Sequence, residues 1–256
     1  MQPYGTVIVP FESLKGTIAA FRSTDGGATW SKENPISKIS FHGVAGDLRT
    51  SPLPTAEIDA AGNAYVAWED CRFESKCAAN DIVFSTSADG LDWSAVNRIP
   101  IDAVGSGVDH FIPGLAVDPA TSRSGHLALT YYSYPNAACT PATCQLNVGF
   151  VSSPDGGATW SPSTQLAGPM SLADIAATSQ GPMVGDYIST SFNSTGSAAT
   201  VFAIGNPHTA LFDEGMWAPS TPLPVATATT ATLPATSAGA ASGQGVGAAL
   251  QAIERH

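Results

Sequence analysis

Several short stretches of this 256-residue chain join residue types that can do chemistry. Asp186 and Tyr187 stand side by side after apolar Met183 and Val184. A carboxyl in apolar surroundings has a raised pKa and suits general acid work, and the phenol beside it offers a nucleophile or a hydrogen-bond donor. The competing reading is an aspartate that satisfies backbone amides at a junction between elements. Asp109 and His110 form a second pair with acid–base potential, or equally an ordinary loop pair. Arg49 and Arg72 present the planar fork that grips carboxylates or sugar hydroxyls in two places at once. Arg72 follows Glu69-Asp70-Cys71, which brings its own counter-ions, so a structural ion pair competes with a binding role. The expected catalytic set is therefore Asp186, Tyr187 and Asp109, with Arg49, Arg72 and His110 on the binding side. Trp68, Tyr131, Tyr132 and Tyr134 either stack on sugar rings or fill a core.

The composition removes other classes of function. Ten Lys+Arg stand against 21 Asp+Glu, a net charge of −11 that repels phosphate backbones, so nucleic acid is not an expected partner. No apolar run reaches the length of a membrane span. Phosphate-loop, dinucleotide-fold and serine-hydrolase signatures are absent, and no cofactor is expected. The four cysteines fall as Cys71 with Cys77 and Cys139 with Cys144, two local staples. Zinc is the rival, but the spacing lacks CxxC pairs or neighbouring histidines, and no metal site is read. Disulfides imply export; the opening Met1-Gln2-Pro3-Tyr4-Gly5 shows no signal peptide. The expected location is secreted or extracytoplasmic.

The elements that must position these residues show themselves as a repeat. Ser23-Thr24-Asp25-Gly26, Ser87-Ala88-Asp89-Gly90 and Ser153-Pro154-Asp155-Gly156 each lead to a tryptophan, at Trp30, Trp93 and Trp160. The aspartates are 64 and 66 residues apart, so one structural unit recurs. Alternating apolar residues before each copy (Ile82 and Phe84, Val148 and Phe150) make a half-buried strand, and Asp-Gly makes a tight turn. The tryptophan opens the returning strand and should pack between neighbouring sheets. These aspartates are expected to be structural. Two further strand patterns precede the second and third copies, giving four antiparallel strands per unit, which is one β-propeller blade. Blades are expected at 3–38 (lacking its first strand), 54–100, 111–167 and 182–217. They form an all-β propeller domain over 1–218, possible as a partial ring. Residues 219–256 are rich in Ala, Thr, Pro, Ser and Gly and read as a low-complexity disordered tail.

The thrice-repeated Ser-x-Asp-Gly with its tryptophan resembles the Asp-box of the BNR/sialidase-like superfamily. Trp68-Glu69-Asp70-Cys71-Arg72, Asp109-His110-Phe111-Ile112-Pro113 and Gly185-Asp186-Tyr187 are similar to segments of bacterial secreted sialidase-like proteins. The resemblance implies a six-bladed propeller with a ligand pocket at its axis, on the face away from the Asp-boxes. It implies a glycan or glycoconjugate ligand and an exo-α-sialidase type of glycoside hydrolysis. The chain departs from that pattern: the Phe-Arg-Ile-Pro segment is absent, and only six arginines are present. Setting aside Arg22 and Arg255 leaves Arg49, Arg72, Arg98 and Arg123 for a three-arginine carboxylate clamp. Two alternatives therefore stand beside the hydrolase: a non-catalytic carbohydrate- or protein-binding surface module, and a scaffold factor. With about four blades against six, a homo-oligomer or a missing segment is expected to complete the ring.

Overall fold

The computed structural model describes residues 1–121 and 125–226. Every sheet is antiparallel, and strands follow one another across each sheet in chain order. The first blade holds β1 (Val7–Ser13), β2 (Thr17–Ser23) and β3 (Asn34–Lys38). The second holds β4 (Thr55–Ile58), β5 (Ala64–Asp70), β6 (Asp81–Ser87) and β7 (Asn97–Arg98). The third holds β8 (Asp109–Val117), β9 (Leu127–Tyr134), β10 (Gln145–Ser153) and β11 (Thr164–Ser171). After a small hairpin of β12 (Ala177–Thr178) and β13 (Gly181–Pro182), the fourth blade holds β14 (Ser189–Phe192), β15 (Ala198–Asn206) and β16 (Asp213–Trp217). Such a succession of up-and-down sheets is a propeller arrangement. The four units follow the expected order, but the third extends outward to Asp109 and Ser171 and the fourth begins at Ser189 rather than 182.

The blades are held by apolar faces pressed together. β5 is buried at all seven positions, because neighbours cover both of its faces. Ile18 of the first blade meets Val66, Trp68 and Val83 of the second. Tyr65, Ile82 and Phe84 of the second pack on Leu115, Leu129 and Tyr131 of the third. Tyr132, Tyr134 and Leu146 of the third join Ile188 and Phe202 at the fourth. Trp68, Tyr131, Tyr132 and Tyr134 are all at most 2% exposed, so the core reading of these aromatics holds. Removing apolar surface from water at roughly 25 cal/mol per Å² makes these seams the main cohesive contribution.

Each Asp-Gly turn is tied by its own residues. Asp25 Oδ1 accepts the Thr29 N–H at 2.9 Å, and the Ser23 hydroxyl accepts the Gly27 N–H at 2.9 Å. Asp155 and Ser153 repeat this with Thr159 and Gly157, both at 2.8 Å. The second turn is one residue shorter before its tryptophan, and Asp89 accepts the N–H groups of Leu91 and Asp92 instead. The hydrogen bonds from Thr29 hold the Asp25 carboxyl down at about 2. A second recurring turn joins the first two strands of the later blades. There Asp59, Asp118 and Asn193 each accept backbone N–H groups two residues ahead.

Alternation of strand direction puts both sets of turns at one end of the sheets. The other end collects the linkers 39–54, 99–108 and 172–188, together with the two disulfide loops. Cys71–Cys77 and Cys139–Cys144 are bonded as local pairs. The linkers meet one another there: the Arg49 N–H donates to Pro182 O at 2.9 Å and Ala137 N–H to Gly107 O at 2.8 Å.

Three expectations change. Trp30 does not enter a layer between sheets but is 47% exposed beside Val9 and Phe21. Asp186 and Tyr187 lie in the linker before β14 rather than on a strand of the fourth blade. Residues 219–226 are placed against the fourth and third blades: Leu223 exchanges backbone hydrogen bonds with Ala198, and Ala226 N–H donates to Ser152 Oγ. The remainder of the expected tail, 227–256, lies outside the described residues.

Candidate functional site

At the linker end, two segments far apart in sequence place a guanidinium on a carboxylate. Arg49 Nη2 donates to Asp186 Oδ2 at 2.9 Å, with side chains 35% and 33% exposed. The meeting depends on glycine. Gly181 has φ +108°, and a Cβ there would lie 1.9 Å from Asp47 O, so only glycine lets the two linkers approach this closely. Tyr187, next to Asp186, is 60% exposed. An exposed ion pair of this kind is worth only about 0–1 kcal/mol of stability. Its hydrogen-bonding groups remain available: a guanidinium fork for a carboxylate or paired hydroxyls, a carboxylate acceptor for hydroxyls, and a phenol ring with an apolar face.

The other candidates sit differently. Arg72 is folded back on its own neighbour, with Nε on Asp70 Oδ1 at 2.9 Å and Nη2 on Asp70 Oδ2 at 2.7 Å and on Lys38 O. It is the structural ion pair that its counter-ions suggested. Asp109 is 0% exposed; its Oδ1 accepts the Asn80 backbone and side-chain N–H groups at 2.7 and 3.0 Å. Burial outweighs those bonds and pushes its carboxyl up to about 6. His110 is 2% exposed, and burial lowers its pKa, favouring neutral imidazole. Asp109 and His110 therefore do not line the accessible surface with Arg49, Asp186 and Tyr187. Arg123 lies outside the described residues.

The interior holds charged groups that sequence reading passed over. Glu69 on β5 is fully buried, its Oε2 accepting Ile112 N–H at 2.9 Å while Oε1 has no partner. Burial pushes its carboxyl well above the usual range, which favours the neutral acid. Its partner Ile112 has φ +49° within the bulge of β8, an irregularity that turns an amide toward the carboxyl. Arg98 bridges Asp81 and Asp102, each at 2.7 Å, close to His110. The available signal was a charge opening or interrupting an apolar strand, as in Trp68-Glu69-Asp70 and Asp81-Ile82-Val83.

Comparison with known proteins finds similarity at a low level. No protein-family profile and no curated protein matches the sequence. Among solved structures, an α-L-arabinofuranosidase of Fusarium graminearum is 16% identical, with 88% of this chain and 64% of that one covered and a TM-score of 0.48. An α-L-arabinanase of Penicillium chrysogenum is 14% identical, over 81% of this chain and 57% of that one, with a TM-score of 0.46. The NanB sialidase of Streptococcus pneumoniae is 13% identical, over 79% of this chain and 26% of that one, with a TM-score of 0.41. The chain thus spans between a quarter and two thirds of the length of these structures. Among the described residues no helix is long and apolar enough to cross a membrane.

Proposed function

We propose that this chain is a glycan-binding Asp-box propeller segment of an extracytoplasmic protein, and that it takes a saccharide at Arg49, Asp186 and Tyr187. The observation that carries this reading is the half-exposed Arg49–Asp186 pair, assembled from two inter-blade linkers at the end opposite the Asp-Gly turns, beside the exposed Tyr187 ring. Vicinal hydroxyls suit an adjacent donor fork and carboxylate acceptor, and a pyranose face suits a phenol ring. The two disulfides at the same end fit an oxidising compartment.

Binding is favoured over sialidase-type hydrolysis by what surrounds the pair. Most glycoside hydrolases set two carboxyl groups about 5–10 Å apart on one sugar, whereas sialidases use a tyrosine as nucleophile, so the arginines weigh more here than the carboxyl count. Asp109 and Glu69, two of the acids with raised pKa values, are enclosed in the core. Arg72 and Arg98 are committed to Asp70 and to Asp81 with Asp102. That leaves Arg49 as the accessible arginine of a three-arginine clamp among the described candidates.

The test is a titration of the full chain with fluorescent sialosides, arabino-oligosaccharides and neutral oligosaccharides. Arg49→Ala and Asp186→Asn should each weaken binding about tenfold or more, as lost charge-assisted hydrogen bonds do. Saccharide binding that is equal in wild type and both variants would remove the site. Release of a fluorogenic sialoside by the wild type, lost in Asp186→Asn, would replace binding with hydrolysis.

A further inference from the structure

We propose that Asp81, Asp102 and His110 form a site for a divalent transition-metal cation, zinc in the first instance, at the junction of the second and third blades. Each offers one ligand atom, and the three atoms lie within 4.8 Å of one another. They come from three elements: Asp81 opens β6, Asp102 lies in the 99–108 linker, and His110 is in β8.

The groups around them are arranged as a ligand set would need. Arg98 takes Oδ1 of Asp81 and Oδ1 of Asp102, at 2.7 Å each, which fixes both carboxylates from one side. The second oxygen of Asp81 is buried and has no hydrogen-bond partner, on a side chain only 3% exposed. That of Asp102 receives the Ser106 hydroxyl and lies 3.9 Å from His110 Nε2, too far for a hydrogen bond. His110 Nδ1 is 3.3 Å from the Asn80 carbonyl. A carbonyl can only accept, so Nδ1 is the donor there, and in the neutral ring Nε2 presents a bare lone pair. A metal-bound histidine is held in this same way, with its far nitrogen donating to a backbone carbonyl.

Charge and chemistry agree with a divalent cation. Asp81, Asp102 and Glu74 bring three negative charges near the site against one from Arg98, an excess of two. One imidazole with two carboxylates suits zinc, whose bonds of about 2.0–2.2 Å place ligand atoms about 3–4 Å apart, so a closure of up to about 1 Å completes the set. Asp102, 22% exposed, leaves an entry from solvent.

The experiment is equilibrium dialysis of the metal-stripped full chain against zinc, with cobalt absorption as a second measurement. We expect one zinc per chain, a higher melting temperature with zinc, and ligand-field bands from cobalt at the same stoichiometry. Asp102→Asn and His110→Gln should each weaken zinc binding about tenfold or more, the size of loss seen when a metal site's immediate groups are altered. His208→Gln, beside Asp174 elsewhere on the linker end, should bind as wild type. Should His110→Gln not fold, the partly exposed Asp102→Asn carries the test, because its remaining side-chain oxygen still meets Arg98. The absence of stoichiometric zinc on folded wild type, or equal zinc affinity in Asp102→Asn, overturns the proposal.

Discussion

The first and third Asp-Gly turns are near copies that meet different neighbours. In both, the aspartate accepts the threonine hydroxyl at 2.6 Å and the backbone N–H of the same threonine at 2.8–2.9 Å. In both, two successive glycines take positive φ. The tryptophans then part. Trp160 is half-buried and meets Phe84 of the preceding blade edge-on, ring centroids 6.2 Å apart. Trp30 stands 47% exposed. A turn closed by bonds within ten residues forms wherever its sequence occurs, while the burial of its tryptophan depends on the sheet alongside.

The widest test of this contrast is the tryptophan pair. Trp160→Ala should cost about 3 kcal/mol by opening a cavity against Phe84, and Trp30→Ala much less, read by chemical denaturation. Equal losses would show that Trp30 is covered in solution. The exposed Val9 and Trp30, with half-buried Phe21 beside them, predict self-association at micromolar concentration in light scattering, relieved by Trp30→Lys; a monomer with cooperative unfolding would remove the need for a covering partner.

Reduction probes a second pair of local devices, at the opposite end. Each disulfide closes a loop of five or six residues, worth about 2 kcal/mol in the chain-entropy account. Non-reducing peptide mapping should recover Cys71–Cys77 and Cys139–Cys144, and reduction should lower the melting temperature without abolishing the folded state. Loss of the fold on reduction would mean that the loops hold the blades together.

Acid sharpens the comparison between local and enclosed carboxylates. The lowered pKa values of Asp25 and Asp155 make their stabilising contribution complete above the unfolded value near 4 and lost as pH falls below it, toward about 2 for Asp25. Asp109 has the opposite sign. Raised to about 6 by burial, it costs stability as pH rises from about 4 to 6. Melting temperature against pH should therefore flatten between pH 4 and 6 in Asp109→Asn, and an unchanged slope would show that Asp109 is not the group concerned.

The finest test is a single methyl group. Gly27 and Gly157 share φ near +94°, but a Cβ on Gly157 would fall 2.6 Å from the Phe84 ring, whereas on Gly27 its nearest neighbour is Trp30 at 3.6 Å. Gly157→Ala should exceed Gly27→Ala in destabilisation by about 1 kcal/mol, the lower end of overpacking costs. Equal effects would place the two turns in equivalent surroundings.

The candidate site was legible in part. Arg49, Asp186 and Tyr187 were singled out by residue type, but their meeting was not foreseeable, because the linkers that bring Arg49 to Asp186 carry no periodic pattern. Asp109 and His110 drew attention for the right chemistry in the wrong surroundings. Their residue types announce acid–base work, and only the packing of β8 between neighbouring blades puts them out of reach of the surface. Glu69 and Asp81 went unread because a charge inside an apolar strand looks like an outward-facing residue until both faces are known to be covered.

By itself, the sequence determined what short-range physics controls: strands from alternation, hairpins from Ser-x-Asp-Gly, two staples from closely spaced cysteines, and four repeated units. The tertiary structure alone decided which faces of those strands met water. It decided that Trp30 lies open while Trp160 is covered, that Arg72 turns back on Asp70, and that Asp81, Asp102 and His110 converge. The division follows from range. Backbone turns and local loops are closed by bonds between near neighbours in the chain, whereas burial, and every pKa that burial moves, is set by strands far away in sequence.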